Sequence, residues 1–101
     1  MRTKSAVRKT RSGKELAHAA PEQSFWVCSG LVLGDLRALH DALLKRMDDA
    51  TYRYHVAGRR NDFSKWVAEV LKDQTCAKAL AKAKDRTTAA RAVAVALKEY
   101  R

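Results

Sequence analysis

From residue 35 onward, Asp or Asn stands directly before one apolar-periodic run after another. Asp35 precedes Leu36, Leu39, Leu43 and Met47, which recur at helical spacing and form one stripe. Arg37, Asp41 and Lys45 fall on the opposite face at i, i+4 steps, with His40 at the stripe's edge. Asp48 or Asp49 precedes "ATYRYHV", which Gly58 stops. Asn61 or Asp62 precedes Phe63, Trp66, Val67, Val70 and Leu71. Asp73 opens "QTCAKALAKAK", whose apolar positions are mostly Ala with Leu80. Asp85 or Thr87 opens a last run with Ala90, Val93, Ala94 and Leu97 on one face. A short polar side chain in this position accepts a hydrogen bond from an otherwise unpaired first-turn N–H. Caps and periods agree, so they predict a helical domain.

Before the helices, "SFWVCSGLVL" at 24–33 is rich in β-branched and aromatic residues around Ser29-Gly30. This pattern predicts a short β-hairpin with a tight turn. Two strands alone are marginal in water, so the hairpin has to lie on the helices. The expected fold is therefore mainly α with a short N-terminal β-hairpin, an α+β arrangement of four to five helices. One domain at 23–101 is the natural size for a chain of 101 residues.

Residues 1–22 read differently. Arg2, Lys4, Arg8, Lys9, Arg11 and Lys14 stand against Glu15 and Glu22, and apolar side chains show no sustained period. Such a segment buries too little to offset its ordering entropy, so a disordered basic arm is expected. Pro21 marks its end. The stretch has no apolar core of the kind a secretory signal carries. Residues 1–14 are Arg- and Ser-rich and poor in acids, as transit peptides are, which leaves that alternative open. The longest apolar stretch, "AVAVAL" at 92–97, is far short of the roughly 20 residues a membrane span needs.

The formal net charge is +10, which points to polyanionic partners. Cys28 and Cys76 show no CxxC spacing, and His18, His40 and His55 are scattered, so no metal site can be read. Isolated thiols suit a reducing cytoplasm.

The order "FWV..G" at 25–30, "YHV" at 54–56, "NDFSKWV" at 61–67, then "LKDQTCAKAL" and an Ala-rich C-terminal run, resembles a family of small archaeal and bacterial domains of unknown function. The resemblance covers residues 24 to 98. Tyr52 stands where that family often has Phe, and Ala57-Gly58-Arg59-Arg60 replaces a more acidic link. The resemblance implies a fold pattern and no activity.

The stretch 52–67 is the candidate site. Tyr54, His55, Asn61, Asp62, Phe63 and Trp66 form a structural elbow, with His55 at one helix C-terminus facing Asn61 and Asp62 at the next N-terminus. Tyr54, Phe63, Trp66 and also Trp26 are expected in the core, while Tyr52 and Tyr100 are the expected exposed stackers. A His-Asp general base is the sharper alternative, but no nucleophile is placed beside it, so no enzyme activity and no cofactor are expected. Around the elbow, Arg53, Arg59, Arg60 and Lys65 cluster, and Lys45 and Arg46 end the preceding helix. Lys78, Lys82, Lys84, Arg86, Arg91 and Lys98 make a second basic set.

The expected function is non-catalytic, sequence-tolerant nucleic-acid binding through phosphate contacts, with DNA preferred over RNA, of the nucleoid-associated type. The arm and the residues from Lys45 to Lys65 would carry it, in the cytoplasm. One alternative is an RNA- or ribosome-associated factor. The other is a protein-interaction module using an apolar groove near the hairpin and Trp66.

Overall fold

Five side-chain caps start five helices in the computed structural model, which describes residues 15–100. The carboxylate of Asp35 accepts from the Ala38 N–H at 2.8 Å and begins α1 (Leu36–Asp41). Asp48 accepts from Thr51 at 2.8 Å and begins α2 (Asp49–His55). The Asn61 carbonyl oxygen accepts from Ser64 at 2.9 Å and begins α3 (Asp62–Trp66). Asp73 accepts from Cys76 at 2.9 Å for α4 (Gln74–Lys82). Asp85 accepts from Thr88 at 2.7 Å for α5 (Arg86–Leu97). Each capping residue has extended backbone, so the chain turns into the helix at that residue.

Two helices widen at their ends. α1 continues as a π turn over Ala42–Arg46, and α3 as another over Val67–Leu71. The widening keeps the stripe intact: Leu36, Leu39, Leu43 and Met47 are all buried, as are Phe63, Trp66, Val67 and Leu71. Val70 is half-buried. α5 buries Ala89, Ala90 and Val93, while Ala94 and Leu97 are half-covered at its rim.

The predicted hairpin is present. β1 (Phe25–Trp26) pairs antiparallel with β2 (Val32–Leu33), in register Phe25 to Leu33 and Trp26 to Val32. The Val27 N–H bonds the Leu31 carbonyl at 2.8 Å, and the Gly30 N–H bonds that of Val27 at 2.8 Å. Gly30 has φ 109°, a conformation that suits only glycine. Phe25, Val27 and Leu33 turn inward onto the helices.

A second hairpin was not legible in the sequence. β3 (Val56–Ala57) and β4 (Arg60–Asn61) pair antiparallel around Gly58-Arg59. Gly58 takes φ 58° while Arg59 stays at negative φ, the pattern of a two-residue turn with glycine first. α2 therefore does not stop at a simple bend but folds back on itself.

α3 packs on α4, α4 on α5, and α5 returns to α1. Aromatic rings fill the middle. Phe63 stacks on Phe25 at 4.9 Å and on Tyr52 at 5.8 Å, and Trp66 meets Phe25 edge-on at 5.7 Å. The Trp66 indole N–H donates to the Gln23 carbonyl at 2.8 Å.

Residues 15–22, the end of the expected arm, lie on the domain. Leu16 and Ala19 pack against the core, the Ala19 N–H bonds the Gly34 carbonyl at 2.7 Å, and His18 pairs with Asp35 at 2.9 Å. Pro21–Gln23 make one 3₁₀ turn. Arg2, Lys4, Arg8, Lys9, Arg11 and Lys14 lie outside the described residues. Among the described residues no helix is long and apolar enough to cross a membrane.

The caps carry a pH signature. Hydrogen bonds from Thr51 hold the Asp48 carboxyl below its usual value, and those from Thr88 do the same for Asp85. A carboxyl depressed on folding stabilises fully above its unfolded value, about 3.9, and loses that contribution as pH falls through the lower folded value. Asp85→Ala is expected to melt several degrees below the parent at pH 7. The two melting curves should draw together as pH is lowered from 4 to 2, followed by circular dichroism.

Candidate nucleic-acid interface

The elbow is held by His55. α2 has barely two turns, so Tyr52 and His55, at i and i+3, share one face and point inward. His55 is 5% exposed. Its Nδ1 lies 2.9 Å from Asp62 Oδ2, and its Nε2 accepts the Cys28 N–H at 3.1 Å. Because Nε2 accepts, the ring proton sits on Nδ1 and is donated to the carboxylate. One imidazole thus joins the end of α2, the start of α3 and the turn of the first hairpin. Both ring nitrogens are engaged by protein groups.

Cys76 is buried and offers no activated thiolate. Burial, followed by the Asp73 carboxylate, pushes the Cys76 thiol up to about 12. The same Asp73 receives the Tyr100 hydroxyl, and burial together with that bond raises the phenol above its ordinary value. Among the described residues no group of three His, Cys, Asp or Glu side chains is placed to hold a metal ion.

The elbow is also pinned to α4. The Asn61 side-chain amide donates to the Leu80 carbonyl at 3.0 Å, and the Ser64 hydroxyl to that of Ala77 at 2.7 Å. These two bonds set the β3–β4 hairpin against the last turn of α4. The result is a groove of about 670 Å³ lined by Arg59, Arg60, Asn61, Lys82 and Lys84 with Val56, Gly58, Ala81 and Ala83, and by no carboxylate. Arg59, Lys82 and Lys84 are exposed and make no ion pair among the described residues. Arg60 is tied down: its guanidinium donates to the Tyr54 carbonyl and lies 3.9 Å from Asp62.

Lys84 also lines an adjoining cleft of about 270 Å³ with Tyr52, Arg53 and Arg86, where Asp49 and Asp85 offset part of the charge. Arg86 is engaged there, bonding Asp49 at 3.0 Å and the Leu43 carbonyl at 2.6 Å. Arg53 remains exposed.

The predicted basic residues thus divide. Arg59 and Arg60 meet in the groove, and Arg53 stands one cleft away. Lys45 and Arg46 instead pair with Asp41, at 3.8 Å and 3.0 Å. Lys65 is exposed on α3 and lines neither cleft. Lys82 and Lys84, assigned by sequence to a separate set, are the residues that complete the groove.

Three aromatic expectations need correction. Tyr54 is 60% exposed and Trp26 is 67% exposed, where the core was expected. Tyr52, the expected stacker, is buried, and Tyr100 is half-covered. On α2 the inward face belongs to Tyr52 and His55, so Tyr54 faces out. On β1 successive side chains alternate, so Trp26 faces away from Phe25 and Val27. Trp66, near which an apolar groove was expected, is buried against Phe25.

No family model matches the chain, and neither a curated protein nor a solved structure matches it.

Proposed function

We propose that this protein binds nucleic acid without catalysis and with little sequence preference, holding phosphates in the groove between the β3–β4 turn and the end of α4. The observation that carries this reading is the convergence of Arg59, Arg60, Lys82 and Lys84 on one concave surface with no carboxylate in its lining. Among the described residues Arg59, Lys82 and Lys84 make no ion pair that a phosphate would have to displace. The groove presents four cationic side chains, which suits contact with the phosphate backbone. In its DNA form this is a nucleoid-associated role in the cytoplasm; an RNA-bound role uses the same contacts.

Fluorescence anisotropy with labelled duplex DNA, single-stranded DNA and structured RNA tests the proposal across a salt series. Four phosphate contacts predict a slope of log affinity against log salt near −3.6 on a duplex, at roughly −0.9 per contact. The arm can only steepen it. Absence of binding to every probe at 100 mM salt would sink the proposal.

A protein-docking role has one observation of its own. Trp26 and Val32 stand opposite each other across the first hairpin, and both are exposed. An interface built there would hold its affinity nearly constant over the same salt range.

A further inference from the structure

We infer that the groove takes single-stranded nucleic acid, with Tyr54 as the platform on which one unpaired base stacks. The inference rests on the nucleic-acid proposal above and adds the substrate class. Tyr54 sits on the last turn of α2 with most of its surface open to solvent. It is nevertheless ordered. The Arg60 guanidinium lies over the ring, 5.7 Å from its centroid, and the His55 ring meets it edge-on at 5.0 Å.

Arg60 joins the two features. It lines the phosphate groove and covers part of the Tyr54 ring at once. A base laid against Tyr54 therefore has its own phosphates within the groove's cationic wall. With Arg60 in place Tyr54 as a whole residue is still 60% exposed, and that open surface is where a base would lie. The guanidinium plane is itself a stacking surface. Because the ring is already held, little side-chain freedom is lost when a base arrives.

Base pairing decides the substrate class. In a duplex the base faces are covered by their neighbours, and a tyrosine beside the backbone gains nothing from them. In a single strand each base has a free face, and an aromatic platform is useful whatever the sequence. This matches a site with a basic groove beside an exposed ring.

The test compares the full chain with Tyr54→Ala, Tyr54→Phe and Arg59→Ala, on oligo-dT, oligo-U and duplex DNA of equal length. Circular dichroism confirms that each variant is folded. Tyr54→Ala should weaken binding to the single strands roughly ten- to hundredfold, leave the salt slope unchanged and leave duplex affinity where it was. Tyr54→Phe should retain the parent's affinity. Equal losses on duplex and single strand, or no loss on either, would overturn the inference. If Arg59→Ala still weakens every probe in that case, the groove stands without the stack. If the unmutated chain binds no probe, both fail together.

Discussion

Phe63→Ala should cost about 3–5 kcal/mol, the range for emptying a buried aromatic site. Phe63 is fully buried and touches three rings: Phe25 at 4.9 Å, His55 at 5.2 Å and Tyr52 at 5.8 Å. These belong to the first hairpin and to α2, while Phe63 belongs to α3. Removing it leaves a void where three elements meet, beside the His55 ring that bonds Asp62 and the Cys28 N–H. A domain of this size has roughly 4–12 kcal/mol of total stability. At about 4–8 °C per kcal/mol, the expected fall in Tm is about 12–40 °C. Phe63→Leu, which keeps much of the volume, should fall by far less. Thermal melts of both variants decide the matter. A loss under about 5 °C for Phe63→Ala would mean that the ring cluster is not the centre of the fold.

The second large effect is on binding. Replacing Arg59, Lys82 and Lys84 together by Ala should remove three phosphate contacts and reduce the magnitude of the duplex salt slope by about 2.7. At 100 mM salt that corresponds to roughly several-hundred-fold weaker binding, measured by anisotropy on the same duplex. All three are exposed, so the melting temperature should hold. Arg60 is left in place because its bond to the Tyr54 carbonyl and its approach to Asp62 support the elbow. Lys45→Ala with Arg46→Ala provides the contrast. Those two lie against Asp41, and their loss should change binding little. A triple variant that binds like the parent would remove the groove from the proposal and leave the residues before 15 as the place to look.

Much of the elbow was legible before any coordinates. His55 and Asp62 were set to face each other by their places at a helix end and a helix start, and they lie 2.9 Å apart. The Cys28 N–H on the other ring nitrogen was not legible, because no local rule joins a hairpin turn to a side chain 27 residues away. Tyr52 and Tyr54 were assigned to opposite sides. Two aromatics two residues apart in a seven-residue helix give no period long enough to say which faces inward. Packing against Phe63 chose Tyr52. Its hydroxyl has no partner among the described residues, so burial there rests on the ring alone.

The sequence by itself determined what is decided within one helical turn or one pair of strands. Asp35, Asp48, Asn61, Asp73 and Asp85 each bond the N–H three residues on, a contact written into the chain by spacing. The buried stripe from Leu36 to Met47 and the pairing of the first hairpin follow from the same local rules. Tertiary structure alone decided the outward turn of Tyr54 and the meeting of Arg59 and Arg60 with Lys82 and Lys84. That meeting depends on the Asn61 amide reaching the Leu80 carbonyl, across 19 residues of chain. Bonds of that kind form only once the core has set α3 on α4, and no periodicity along the chain records where they will fall.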